Sequence, residues 1–98
     1  MLAARLTPEE YLERERKAER KSEYLAGEMV AMSGNGVRHA QIVTRLIASL
    51  GWQLKRHPCY VYSTELRLRV GAGSFYTYPD VMVVRGEPIV DEDQTILC

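Results

Sequence analysis

The hydrophobic pattern of this chain changes its period at His57-Pro58. Before that point, six apolar residues recur at the spacing of one helix face: Ile42, Val43, Leu46, Ile47, Leu50 and Leu54. Because the residue before a proline avoids the α region, we expect this helix, predicted over residues 37–56, to end there. From residue 59 onward apolar and polar residues alternate, as they do in strands. This change predicts a mixed α/β (α+β) fold.

An earlier helix is predicted to begin after Thr7, which is followed by Pro8 at the first helical position and by Glu10 at the third. This is a capping box, and Leu6 and Tyr11 occupy the positions of a hydrophobic staple. We expect this helix to reach residue 20 or 21. Residues 13–21 are almost wholly charged. Since their acids and bases interleave, a solvated face is favoured, with DNA binding as the alternative.

The other elements are placed by turn residues and alternation. A hairpin is predicted over residues 23–32 and a loop over 33–36, and Gly51 indicates close packing or a local break in the long helix. Strands are predicted over residues 59–62, 65–70 and 78–84, and residues 96–97 begin a further apolar element. In the second strand we expect Leu66, Leu68 and Val70 to face inward and the charged residues outward; the third is expected to be buried on both faces.

Composition excludes some classes of protein. The 98 residues suffice for one domain, 46% of them are hydrophobic and 27% charged, and no apolar run approaches the roughly 18 residues of a membrane span. The apolar stretch in residues 1–6 is too short for a signal peptide, so we expect a cytoplasmic protein. Residues 1–57 carry ten Lys or Arg against seven acids, and residues 58–98 carry three against six. This asymmetry is too small to indicate nucleic-acid binding by itself.

Asp80 is the first candidate for a functional residue. It precedes the apolar run Val81-Met82-Val83-Val84. A carboxylate buried beside such a strand is costly unless it is paired or binds a cation. The alternative is that Pro79-Asp80 is only a turn before the strand.

The order of the elements and several segments together resemble the bacterial Uma-type family of putative restriction endonucleases, within the PD-(D/E)XK nuclease-like superfamily. The resemblance covers nearly the whole chain. The matching segments are Thr7-Pro8-Glu9-Glu10-Tyr11-Leu12, Glu23-Tyr24-Leu25 with Gly27-Glu28, Arg38-His39, Glu65-Leu66-Arg67-Leu68-Arg69-Val70 and Tyr76-Thr77-Tyr78-Pro79-Asp80-Val81.

The resemblance implies a restriction-endonuclease-like core and a DNA endonuclease in which Asp80, with an acid on the following strand, binds Mg²⁺ or Mn²⁺. A lysine two residues past that acid then assists the attacking water. Glu23 lies where related nucleases carry an additional acid, with a surface role in the hairpin as the alternative. His39 is a candidate contact to phosphate or to a metal-bound water, unless it only packs locally. Arg67 and Arg69 are candidate contacts to the DNA backbone, with plain solvent exposure as the alternative.

The sequence departs from this pattern after Asp80, where no acid-x-Lys follows. The triplets Glu15-Arg16-Lys17 and Glu19-Arg20-Lys21 fall in the first predicted helix, where residues two apart point away from each other. We therefore predict a single partial domain over residues 1–98, truncated, with half of a metal site and little or no activity. The alternative is a non-catalytic binding or oligomerisation module. Because the strand after Asp80 is left with an unpaired edge, we also predict a homodimer.

Overall fold

The structure is a computed structural model that describes residues 5–34 and 36–98. Residues 1–4, which make up most of the stretch judged too short for a signal peptide, and Asn35 of the predicted loop lie outside the described residues. Within them there are two helices, α1 (Pro8–Lys17) and α2 (Val37–Gln53). The seven described strands are β1 (Ser22–Leu25), β2 (Glu28–Ala31), β3 (Cys59–Ser63), β4 (Leu68–Val70), β5 (Phe75–Thr77), β6 (Val81–Arg85) and β7 (Ile96–Leu97).

The strands form two sheets. The larger has the order β2-β1-β5-β4-β7, in which the neighbours are antiparallel except for the parallel pair β4 and β7. The smaller is an antiparallel ribbon of β3 and β6, with Tyr62 opposite Met82. The mixed α/β class predicted from the change of period is confirmed. Neither described helix is both long and apolar enough to cross a membrane.

The core lies between α1 and the larger sheet and is aromatic. Tyr11, Tyr24 and Tyr76 are buried, with ring centroids 5.1 to 6.0 Å apart. Two of their hydroxyl groups donate to backbone carbonyls, that of Tyr11 to Ser22 at 2.6 Å and that of Tyr24 to Leu6 at 2.7 Å. Tyrosine is tolerated in this core because its polar end has a partner.

The start of α1 is as predicted and its end is not. Thr7 and Glu10 form the reciprocal capping box, and Leu6 packs against the core cluster that contains Tyr11. The helix ends at Lys17, because the backbone of Ala18 is extended (φ −82°, ψ 143°). The prediction that it reaches residue 20 or 21 is therefore wrong. Consequently the segment Glu19-Arg20-Lys21 lies outside the helix.

The long helix α2 begins at Val37 as predicted, but it ends at Gln53 and none of its residues is buried. Ile42 and Leu46, expected on the buried face, are 59% and 45% exposed. Gly51 causes no break, and no atom lies within 4 Å of where its Cβ would be, so the predicted close packing is wrong as well.

Two expectations about the strands are also corrected. Pattern reasoning missed β5, a strand of three residues that pairs with β1 and β4. In β6, which was expected to be buried on both faces, Val83 is 45% exposed. The reason is that β6 belongs to the two-stranded ribbon and not to the middle of the larger sheet.

The hairpin is confirmed: β1 and β2 are joined by Ala26 and Gly27, both at positive φ, as two-residue hairpins prefer.

Candidate functional site

An open pocket of about 770 Å³ lies where the start of β6, the first half of α2 and the segment after α1 meet. Its lining is formed by Glu19, Arg20, Lys21, Met32, Ser33, Gly34, His39, Ala40, Val43, Thr44, Ser63, Thr64 and Asp80. Two residues singled out from the sequence, His39 and Asp80, therefore lie in the same pocket although they are far apart in the chain.

Asp80 immediately precedes β6, and its side chain is 49% exposed. The expectation of a carboxylate held at a dry strand is therefore wrong, and burial alone does not require a cation there. Its Oδ2 atom nevertheless lies 3.2 Å from Nε2 of His39. The two atoms are in ion-pair range but are not aligned as a hydrogen bond, since Nε2 is a buried atom with no such partner among the described residues.

The position of His39 follows from where α2 begins. Gly36 has an extended backbone (φ −80°, ψ 177°) and is the N-cap residue, which places His39 in the first turn of the helix. Its side chain is 41% exposed. The imidazole is thus accessible from the pocket while its Nε2 atom faces the carboxylate of Asp80.

Glu23 is not among the residues that line this pocket. Its carboxylate accepts a hydrogen bond from the hydroxyl of Thr77, on β5. Glu23 is thus engaged with Thr77 outside the lining of the pocket, and a catalytic role for Glu23 stays a prediction.

The β4 region is not divided into an inner apolar and an outer charged face as predicted, because Leu66, Arg67, Leu68 and Arg69 are all half-buried. Arg67 is half-buried, and its Nε donates to Thr95 Oγ1 at 2.8 Å. Arg69 is half-buried too, whereas Val70, expected to face inward, is 39% exposed. Arg69 lies opposite the buried Tyr76, and its Nε is a buried atom without a hydrogen-bond partner among the described residues, whereas the head of Arg67 is bonded. The guanidinium of Arg67 is thus engaged within the fold, which disfavours its predicted contact with DNA.

A buried hydrogen-bond network lies behind the Pro79-Asp80 step, and sequence reasoning missed it. Oε2 of Glu15 accepts from the hydroxyl of Tyr78 at 2.6 Å and from the backbone N–H of Ser22 at 2.9 Å. Burial, followed by the bond to Glu15, raises the pKa of Tyr78 to about 12. One signal was present: Glu15 lies four residues after the buried Tyr11, on the same face of α1.

The triplet Glu19-Arg20-Lys21 was set aside because it was expected to be helical. Since α1 ends before it, that reason does not hold, and all three residues line the pocket with Asp80. The other triplet, Glu15-Arg16-Lys17, does lie on α1 as predicted. Its Arg16 pairs with Asp93 at 2.8 Å and its Lys17 with Glu13 at 3.1 Å, so it forms structural contacts.

The described residues do not complete a metal site. Across residues 5–34 and 36–98, no group of three His, Cys, Asp or Glu side chains is arranged to hold a metal ion. Asp80 supplies one carboxylate to the pocket and Glu19 another, whereas Mg²⁺ and Mn²⁺ are held by several oxygen ligands. The donor set around Asp80 is therefore too small to hold such an ion firmly.

Comparisons with known proteins agree with this architecture. A crystal structure of a putative nuclease belonging to DUF820 from Anabaena variabilis superposes with a TM-score of 0.70 over 93% of this chain and 50% of that chain, at 22% identity. This likeness shows that the fold is nuclease-like.

Two uncharacterized proteins of Synechocystis sp. are similar in sequence. The protein sll1609 is 34% identical over 83 residues, which make up 85% of this chain and 47% of that protein. The protein slr1290 is 34% identical over 79 residues, 81% of this chain and 42% of that protein. The chain thus spans about half the length of the curated relatives that it matches.

The model of the Uma2 family, described as "Putative restriction endonuclease", matches residues 8–97. With nearly the whole chain matched, this protein belongs to the Uma2 family of putative restriction endonucleases.

Proposed function

We propose that the pocket around Asp80 is the nuclease site of this fold, which acts on the phosphodiester bonds of DNA with Mg²⁺ or Mn²⁺. The observation that carries the proposal is the meeting of Asp80 and His39, 3.2 Å apart, in the pocket of a chain from a restriction-endonuclease family. A DNA substrate also fits the cytoplasmic location expected from the sequence.

Each residue has a distinct part in this proposal. Asp80 supplies a carboxylate oxygen, the type of ligand that hard divalent cations prefer. His39 lies against that carboxylate, with its Nε2 atom 3.2 Å from Oδ2 of Asp80, and is the candidate contact to phosphate or to a metal-bound water. The chemistry that a divalent cation would supply there, if bound, is acidification of water and neutralisation of charge on the phosphoryl group.

We further propose that residues 1–98 alone hold the metal weakly and do not cut DNA. One carboxylate beside an imidazole is a small part of a metal site, and no acid-x-Lys follows Asp80 in the sequence. Incubation with supercoiled plasmid and Mn²⁺ or Mg²⁺ tests this proposal, and we expect the plasmid to stay intact. Efficient cutting that is abolished by Asp80→Ala would overturn the proposed inactivity while supporting the site.

Metal-dependent DNA binding tests the site itself. We expect Mn²⁺ to strengthen binding of a fluorescent duplex oligonucleotide, measured by anisotropy, and Asp80→Asn to remove that gain. Glu87→Gln is the matched control, because Glu87 is an exposed carboxylate in the turn after β6 and does not line the pocket. Binding that is indifferent to Mn²⁺ in all three proteins would reject the proposed site.

A second candidate function is a binding or oligomerisation module that retains the nuclease-like fold. The observation that favours it is the apolar surface of α2, where Val37, Ile42 and Trp52 are 76%, 59% and 70% exposed. Exposed apolar patches mark surfaces that another polypeptide covers. In this case a second copy of the chain would cover α2, and DNA binding would not respond to metal.

A further inference from the structure

Lys21 reaches the pocket of Asp80 from a part of the chain that the acid-x-Lys pattern does not include. It lies between the end of α1 and the start of β1, and its carbonyl accepts a backbone hydrogen bond from Met32 at 3.0 Å. That bond fixes the residue at the open end of the hairpin. Both Lys21 and Asp80 line the pocket.

The ammonium group of Lys21 is oriented but not neutralised. Nζ lies 5.7 Å from the centroid of the Tyr78 ring and 3.9 Å from Oε1 of Glu65. The side chain of Glu65 is 81% exposed, and an ion pair this long and this exposed contributes little. The ring of Tyr78 orients the ammonium group without neutralising it, so the charge remains available to an anion in the pocket.

The pocket is large enough for a phosphodiester and contains cations that can contact one. Its volume of about 770 Å³ is in the range that accepts a ligand as large as a nucleotide. Its lysine and arginine side chains are Lys21 and Arg20, of which Arg20 is exposed, and they share the lining with the carboxylates of Glu19 and Asp80. Lysine binds phosphate as a compact point charge and needs no planar pairing geometry.

We propose that Lys21 is the phosphate-contacting cation of this site, and that its ammonium group binds a non-bridging oxygen of a nucleic-acid phosphodiester. The identity of the ligand rests on the proposed nuclease function, whereas the contribution of Lys21 to anion binding does not depend on a metal at Asp80.

The test is binding of a thymidine octanucleotide, measured by fluorescence anisotropy in EDTA at several salt concentrations. Lys21→Met retains the apolar stem and removes the charge. We expect it to weaken binding by about tenfold, as for one charge-assisted contact, and to lower the slope of log K against log salt by about 0.7. Lys21→Arg retains a charge and is expected to restore most of the binding.

Lys17→Met is the matched control, since it removes the same charge from the exposed side of α1, where Lys17 pairs with Glu13. We expect it to change the affinity less than twofold, with thermal unfolding of both methionine variants showing that the fold is retained. Equal weakening by Lys17→Met and Lys21→Met, or an unchanged salt slope for Lys21→Met, would overturn the inference. Because EDTA removes divalent metal, this outcome is independent of the Mn²⁺ response that tests the nuclease proposal.

Discussion

The carboxylate of Glu15 joins three parts of the molecule through one oxygen. It accepts from Ser22 at the start of β1 and from Tyr78, two residues before Asp80. Because a buried donor that loses its acceptor is expensive, this contact fixes the backbone that leads into the pocket. The residues that support Asp80 are therefore on α1 and β1, distant in sequence from it.

Removing this acceptor is expected to destabilise the fold. Glu15→Ala leaves the hydroxyl of Tyr78 and the N–H of Ser22 without their partner, which costs about 3 kcal/mol of unfolding free energy. Urea denaturation measures the change. Glu13→Ala is the control on the same helix, where the ion pairs are exposed and a change below about 0.5 kcal/mol is expected. Equal effects of the two variants would contradict the structural role of Glu15.

The buried hydroxyl groups also predict a loss of stability in alkali. Burial raises the pKa of Tyr78 to about 12 and raises that of Tyr11 as well, whereas an unfolded tyrosine titrates near pH 10. The folded state therefore keeps the two hydroxyl groups protonated at pH values where the unfolded chain loses those protons. The contribution of the protonated hydroxyl groups to the unfolding free energy is complete below pH 10 and is lost as the pH rises toward 12. We expect the urea midpoint to fall between pH 9 and pH 11.5. Compared with the unmodified protein, this fall in the urea midpoint should be shallower in Tyr78→Phe. It should be the same in Tyr60→Phe, because Tyr60 is 51% exposed. Identical pH profiles for the three proteins would refute this.

At the scale of elements, local chemistry predicted the starts of helices better than their ends. Thr7 and Glu10 define the start of α1 through hydrogen bonds within four residues. The end of α1 is different, because charged residues continue past Lys17 and nothing in their pattern marks the stop. The strand β5 was missed because its pairing partners, β1 and β4, are set by the tertiary fold. As a result the sequence predicted Asp80 and His39 as candidates but placed Lys21 on the wrong element.

Two glycines are expected to respond in opposite ways to a methyl group. Gly51 lies in α2 with open space around its Cβ position, so Gly51→Ala should raise the unfolding free energy by about 1 kcal/mol. Gly27 has φ +96°, and its Cβ would lie 3.1 Å from Cβ of Arg5, so Gly27→Ala should lower stability. Thermal unfolding of the two variants measures both signs. Destabilisation by Gly51→Ala would show that α2 packs more closely than the structure indicates.

At the scale of the whole molecule, the chain is extended and leaves part of the apolar surface of α2 uncovered. The Cα radius of gyration is 15.0 Å, against roughly 13 Å for a compact domain of this length. The helical period of α2 predicted the helix but not its burial, because burial depends on what lies opposite the apolar face. The fold class was thus predictable from periodicity, whereas the exposure of α2 and of the β3–β6 ribbon was not.

This uncovered surface predicts self-association. We expect light scattering coupled to size exclusion to show a homodimer at high concentration, since burying Ile42 and Leu46 against a second copy removes apolar area from water. Leu46→Glu should shift the protein to the monomer, whereas Gln41→Glu, which adds the same charge at an exposed polar position, should not. A stable monomer at all concentrations would refute the prediction.

We propose that Mn²⁺ or Mg²⁺ binds weakly to this protein at the pocket of Asp80 and His39. The most direct measurement is an amide NMR spectrum of the isotope-labelled chain during addition of Mn²⁺, because paramagnetic broadening reports even weak binding at its location. We predict that the signals of His39, Thr64 and Val81 broaden first, that Asp80→Asn removes this selectivity and that Glu87→Gln retains it. Broadening that spreads evenly over the chain, or centres on the acidic segment at residues 91–93, would contradict the account.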